Sequence, residues 1–271
     1  MDFKAYQLIR LPDKGGFYPS RRSIHRPKKG SETLNASDAQ LLTKKTFARA
    51  LKHLYRSDPD LAYIAKVLEP PVFWTRKPGF ASLIHIILEQ QVSLASARAA
   101  FERLLAAVAP LTADRFLELD DARLKSCGFS RQKAAYSRNL AKAIVEGILG
   151  LRGLESKSDQ TVRSELVKVK GIGPWTADIY LLTVLRRPDI WPKEDLALAV
   201  AVQKIKRLTA RPTPGALESI SQAWKPWRAA AARLLWHYYL NTDRLAAVTA
   251  EPKRTARGGG VPDCGFKNRS K

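Results

Sequence analysis

Two glycines one residue apart, followed at once by a proline, set hard limits on the stretch from Leu166 to Val200, LVKVKGIGPWTADIYLLTVLRRPDIWPKEDLALAV. Gly171 and Gly173 admit backbone conformations with positive φ that side chains resist, so the helical pattern ending over Glu165 to Lys170 must stop there. Pro174 then suits the first position of a new helix, where its missing N–H costs nothing, and Trp175 to Leu185 continues with apolar residues at helical spacing. The spacing predicts helix, tight hairpin, helix. A hairpin opening onto a helix N-terminus leaves backbone N–H groups pointing outward, and with the helix dipole these suit a phosphate. The flanking Lys168 and Lys170 add charge of the right sign. Taken alone, the tripeptide also fits a plain connection between packed helices.

Charge narrows the partner. The 271-residue chain carries a formal net charge of +22 and a pI near 10.2, which calls for a polyanion. It shows no apolar run of about 18 residues, so a membrane span is not expected. At 45% hydrophobic content it can build one large or two small cores. Cys127 and Cys264 are the only cysteines, too few for a four-cysteine iron-sulfur cluster or a disulfide framework. The four histidines His25, His53, His85 and His237 show no paired metal-ligand spacing, so no catalytic transition metal is expected.

Residues 1–37 lack sustained periodicity and are rich in Pro, Gly, Ser and basic side chains such as Arg21, Arg22, Arg26, Lys28 and Lys29. They read as a basic flexible arm, either a DNA tether or a solvated terminus, without the apolar core of a signal peptide. From Ala39 the pattern is helical almost throughout. Helices are predicted near 39–55, 59–68, 79–90, 93–108, 112–118, 120–126, 130–147, 158–169, 174–186, 194–208, 215–221 and 226–241. Ser130 reads as a cap, and Asp58-Pro59 as a cap with a first-turn proline. The basic tail, residues 248–271, contains Gly258-Gly259-Gly260 and is expected to lack regular structure.

The string VKGIGPWTAD resembles the helix-hairpin-helix of the HhH-GPD superfamily of DNA glycosylases, and the Gly/Pro-rich loop with Asp195 resembles that motif's second half. Phe80 to Ser93 (FASLIHIILEQQVS), Gly128 to Ile144 (GFSRQKAAYSRNLAKAI) and Trp224 to Trp236 (WKPWRAAAARLLW) are similar to the AlkA-like 3-methyladenine group within it. The resemblance implies an all-α fold with one glycosylase domain over 38–247 and a cleft between two lobes. The first lobe would be about 75–190, the second about 38–74 with 191–247. It also implies a monofunctional enzyme of base excision repair that flips an alkylated purine, 3-methyladenine or 7-methylguanine, out of double-stranded DNA and hydrolyses its N-glycosidic bond, leaving an abasic site. The alternatives are the same fold acting on hypoxanthine, ethenoadenine or a deaminated pyrimidine, and a non-catalytic helix-hairpin-helix module that only binds DNA. A monomer is expected, located with DNA in the bacterial cytoplasm or the eukaryotic nucleus.

Asp195 falls where the family's catalytic aspartate sits. An ionised carboxylate there would face the positive charge that grows on the deoxyribose as the base leaves. Its bland role is to cap a helix, whose dipole would favour the ionised form. Glu194, just before it, is placed beside the base pocket as a supporting or solvent-exposed acid. Trp175 occupies the position where relatives that also cut the backbone carry a nucleophilic lysine, so no lyase step is expected. Trp175 and Trp236 match pocket-facing positions, and their stacking would favour a cationic base. Where AlkA-like proteins can carry an aromatic four residues after Trp175, this chain has Ile179. Trp74, Trp191, Trp224, Trp227, Tyr180 and Tyr238 are further candidates for the pocket walls, with core or surface packing the commoner role for each. Gln91 matches the side chain that fills the space of the flipped base, with Gln90 as its neighbour and rival. The DNA grip would comprise Lys168, Lys170, Gly171, Ile172 and Gly173, with Lys133, Arg138 and Arg228 as further phosphate partners. The family's hairpin also implies a Na+ or K+ ion on the backbone carbonyls of Lys170 and Ile172, with no cofactor required.

Overall fold

The computed structural model describes residues 41–249, with side chains through 242, so the arm and nearly all of the tail lie outside it. The described residues form twelve α-helices and no strand. In order these are α1 (Lys44–Ser57), α2 (Pro59–Val67), α3 (Phe80–Glu89), α4 (Leu94–Ala107), α5 (Ala113–Leu117), α6 (Asp121–Ser126), α7 (Arg131–Val145), α8 (Asp159–Leu166), α9 (Pro174–Thr183), α10 (Leu196–Ile205), α11 (Pro214–Ser221) and α12 (Arg228–Thr249). Their starts are written in the sequence. Asp58, Ser93 and Ser130 each turn a side-chain oxygen onto backbone N–H groups that the first turn leaves unpaired.

Several helices stop short of their periodicity. α8 ends at Leu166, three residues early, because Val169 and Ile172 donate their N–H groups to Leu166 and Val169 in successive tight turns that lead into the hairpin. α9 ends at Thr183. The chain reverses through Arg186 at φ 57, and the Arg187 N–H folds back onto the Leu181 carbonyl. α12 begins two residues late and runs beyond its expected end at 241.

Helix packing falls into two groups. α3 to α9 pack among themselves around α3 and α7, while α1, α2, α10 and α11 gather with α12. Arg233 of α12, only 4% exposed, bridges the groups by donating to the carbonyls of Trp74 (2.9 Å) and Leu182 (3.0 Å) while lying over the Trp74 ring. The Ala229 N–H also reaches the Pro188 carbonyl at 3.0 Å. The end of α9 and the loop after it are thus joined to the first turns of α12.

Candidate active site and nucleic-acid interface

Asp195 sits at the N-cap of α10 with 8% exposure, at the junction of the two helix groups. Its carboxylate accepts from the Trp175 indole N–H at 2.8 Å, the Leu198 backbone N–H at 2.9 Å and the Trp236 indole N–H at 3.1 Å. Trp175 comes from the first turn of α9 and Trp236 from α12, so three distant segments meet on one carboxyl group. The two indoles are half-buried, and they present their N–H edges to the acid.

Among the described residues no cation pairs with Asp195. Burial pushes its carboxyl above the usual aspartate range; the Trp175, Leu198 and Trp236 donors pull the other way without cancelling the shift. The dipole of α10 was expected to favour the ionised form, but desolvation is the larger effect. Keeping a buried carboxylate without a counter-ion is costly for the fold, on the order of several kcal/mol before hydrogen bonds offset it.

Glu194 does not join this group. It is exposed, and its neighbour Lys193 is ion-paired to Glu218 at 2.9 Å. Asp178, one turn after Trp175, is spent on a 2.6 Å pair with Arg163. Ile179 is 4% exposed and part of the core. Trp191, Trp224, Trp227 and Tyr180 are buried, and Trp74 lies between Arg76 and Arg233.

The hairpin has the predicted form. Gly171 has φ 107, and its missing Cβ makes room for Tyr136 of α7: a Cβ there would lie 2.4 Å from the ring. Gly173 caps α9 with its carbonyl on the Ala177 N–H, and Lys168, Lys170 and Gly173 are exposed. Ile172 is buried, so only its backbone can serve an interface. Asn139 of α7 donates to the Lys170 carbonyl at 3.2 Å. Of the two carbonyls expected to hold a cation, Lys170's is thus already tied to α7. That single bond takes one of the two lone pairs of the Lys170 oxygen and leaves the other.

The two glutamines separate. Gln90 turns inward and its amide nitrogen donates to the Gly171 carbonyl and the Thr176 hydroxyl, both at 3.0 Å. Gln91 is exposed at φ 55, a left-handed conformation that residues with side chains adopt at a cost. Between Gln91, Lys133, Tyr136 and the turn Gly171 to Gly173 lies a cavity of about 530 Å³. It does not reach Asp195. Three basic residues assigned to phosphates are committed elsewhere: Arg138 to Asp121 and the Leu119 carbonyl, Arg228 to Asp189, and Lys133 to the Leu88 carbonyl. Side-chain type is legible in a sequence; partners are not. Tyr136 and Asn139 were missed, although Gln132, Tyr136 and Asn139 recur at helical spacing and mark one polar face of α7.

Residues 84–227 match the model of the HhH-GPD superfamily base excision DNA repair protein. A putative DNA-3-methyladenine glycosylase, YfjP, of Bacillus subtilis is 34% identical over 119 residues, which are 44% of this chain and 42% of that protein. DNA-3-methyladenine glycosylase 1 of Schizosaccharomyces pombe is 27% identical over 219 residues, covering 77% of this chain and 94% of the relative. A solved structure of an S. pombe 3-methyladenine DNA glycosylase in complex with abasic DNA superposes with a TM-score of 0.67 at 27% identity, over 73% of this chain and 98% of that one.

Proposed function

This chain belongs to the HhH-GPD superfamily of base excision DNA repair proteins, and from that premise we propose that it is a monofunctional DNA glycosylase releasing alkylated purines such as 3-methyladenine and 7-methylguanine. The observation that carries the reading is Asp195, a buried carboxylate held by two indoles with no cation beside it among the described residues. In the flipped state a methylated purine enters between flat aromatic groups, whose faces favour a cationic ring. That base already leaves readily, so no proton donor is required at the leaving group. As the glycosidic bond lengthens, positive charge moves to the sugar, and Asp195 supplies the opposing charge or orients the water that captures it. The glycosidic bond breaks with its electron pair going to the cationic base, which leaves neutral, and water adds to the sugar carbon while handing one proton to the Asp195 carboxylate or to solvent.

The absence of a lyase step rests on Trp175, whose indole N–H is engaged with Asp195 at the position a nucleophilic amine would need. Lys193 is held by Glu218 and Lys170 sits out on the hairpin. The relative with 94% of its length aligned is named for 3-methyladenine, which supports the substrate class. No helix among the described residues is long and apolar enough to cross a membrane, and the protein would work as a monomer wherever the cell keeps its DNA.

The test is base release from methylated duplex DNA, with freed purines separated by chromatography. Release of 3-methyladenine or 7-methylguanine, with no covalent complex trapped by borohydride, is the expected result. Release of neither base overturns the substrate assignment, and a trapped complex overturns the monofunctional one.

A further inference from the structure

We infer that Gln90 is the positioning residue that turns Gln91 into a rigid wedge and ties it to the hairpin; this rests on the glycosylase reading above. Three consecutive residues at the end of α3 are each pinned by a different element. The Leu88 carbonyl accepts from Lys133 of α7 at 2.5 Å. Glu89 receives both arms of the Arg76 guanidinium at 2.6 and 2.9 Å, and the Arg76 backbone N–H is itself fixed on the Thr183 carbonyl of α9 at 3.0 Å. Gln90 then spends both protons of its amide nitrogen, one on the Gly171 carbonyl and one on the Thr176 hydroxyl. A carbonyl oxygen can only accept, so the nitrogen must be the atom facing the hairpin, and the amide has one orientation. Gln91 is the first residue without such a tether, and it leaves the pedestal exposed in a left-handed conformation.

The physical need for such a pedestal is plain. Driving a side chain into a base stack works against a few kcal/mol of unstacking and unpairing. A wedge on a pliant loop would yield before the stack did. Because Gln90 grips the carbonyl of Gly171, in the same turn whose N–H groups would face the phosphates, the wedge and the backbone grip are held in fixed register. Tyr136, packed where a Cβ of Gly171 would be, keeps that turn from shifting under load.

The assay is single-turnover excision of one methylated purine from two duplexes, one with the lesion paired to its normal partner and one with it opposite an abasic residue. In the second, pairing is already lost and less wedging is needed. Gln90→Met, close in shape but unable to donate, should slow excision from the paired duplex about tenfold and from the unpaired one by less than about threefold. Gln91→Ala should show the same pattern, and the double variant should be no slower than the worse single. The ratio of the two rates does not depend on how much variant folds, so reduced stability cannot imitate the effect. Equal slowing on both duplexes, or none on the paired one, overturns the inference. If the wild type excises from neither duplex, the glycosylase reading fails, and the inference with it.

Discussion

Asp58 and Asp195 occupy the same local device in one helix group, and the partner that sets their charge apart is a lysine. Each is an N-cap, each is under a tenth exposed, and each accepts an indole N–H as well as backbone N–H groups of its own helix. Asp58 has Lys206 at 2.7 Å, and among the described residues no cation pairs with Asp195. Burial acts to raise both carboxyls, but Asp58 ends below its ordinary range because Lys206 and Trp224 outweigh it, whereas Asp195 ends above. The first arrangement completes the charge balance inside the fold. The second leaves it open, which suits the role proposed above for Asp195.

The largest consequence is for catalysis. Asp195→Asn removes the one negative charge facing the sugar and should cut excision by about a hundredfold or more, with binding to undamaged duplex within about threefold. Stability should change little, since loss of a buried uncompensated charge is offset by an Asn amide N–H now facing an indole N–H. Single-turnover kinetics beside thermal melting reads both effects. Unchanged excision would remove the basis of the comparison.

The next effect concerns pH. Asp195 must be ionised to act, so excision should fall as pH drops through its raised pKa, at higher pH than the usual aspartate value of about 3.9. Trp175→Phe keeps a flat wall but deletes the stronger of the two indole donors, the one at 2.8 Å, so the acid limb should move to still higher pH. Trp236→Phe, deleting the 3.1 Å donor, should move it less. Identical acid limbs in all three proteins would show that the carboxylate being titrated is not Asp195.

The two aspartates also show what a single sequence yields. Asp195 and the hairpin were legible because their signals are local: a glycine pair, a first-turn proline, an acid at a helix start. Nearly all helices followed from periodicity and caps. That Gln90 turns inward while Gln91 stays exposed was not legible, because it depends on partners 81 and 86 residues away and on one backbone angle. Arg138 and Arg228 looked like phosphate ligands because charge is visible in sequence, while the acids that neutralise them are brought in only by packing. The lysine that separates Asp58 from Asp195 lies 148 residues from its partner, so the contrast had no signature along the chain.

Stability provides the converse test. Asp58→Asn strips Lys206 of its buried partner while Asp60 remains at 2.9 Å, so a loss of about 2 kcal/mol is expected, read as a Tm lower by about 4–8 °C. Excision below the melting range should be nearly unchanged. Because the folded pKa of Asp58 is lowered, its contribution is present above the ordinary aspartate range and is lost as pH falls through the lowered value. The Tm deficit of the variant should therefore be full at neutral pH and close only in strong acid.

The smallest effect separates the two adjacent acids. Glu194 carries the same charge as Asp195 one residue away, yet it is exposed to water, which screens its field before it reaches the sugar. Glu194→Gln should leave the excision rate within about twofold. It should tighten binding to undamaged duplex slightly at low salt, because one like charge no longer opposes the phosphates, and the gain should vanish as salt rises. A tenfold slower excision in this variant would mean that the exposed acid reaches the reacting sugar when DNA is bound, and that the site is shaped by closure on its substrate rather than by the burial seen around Asp195.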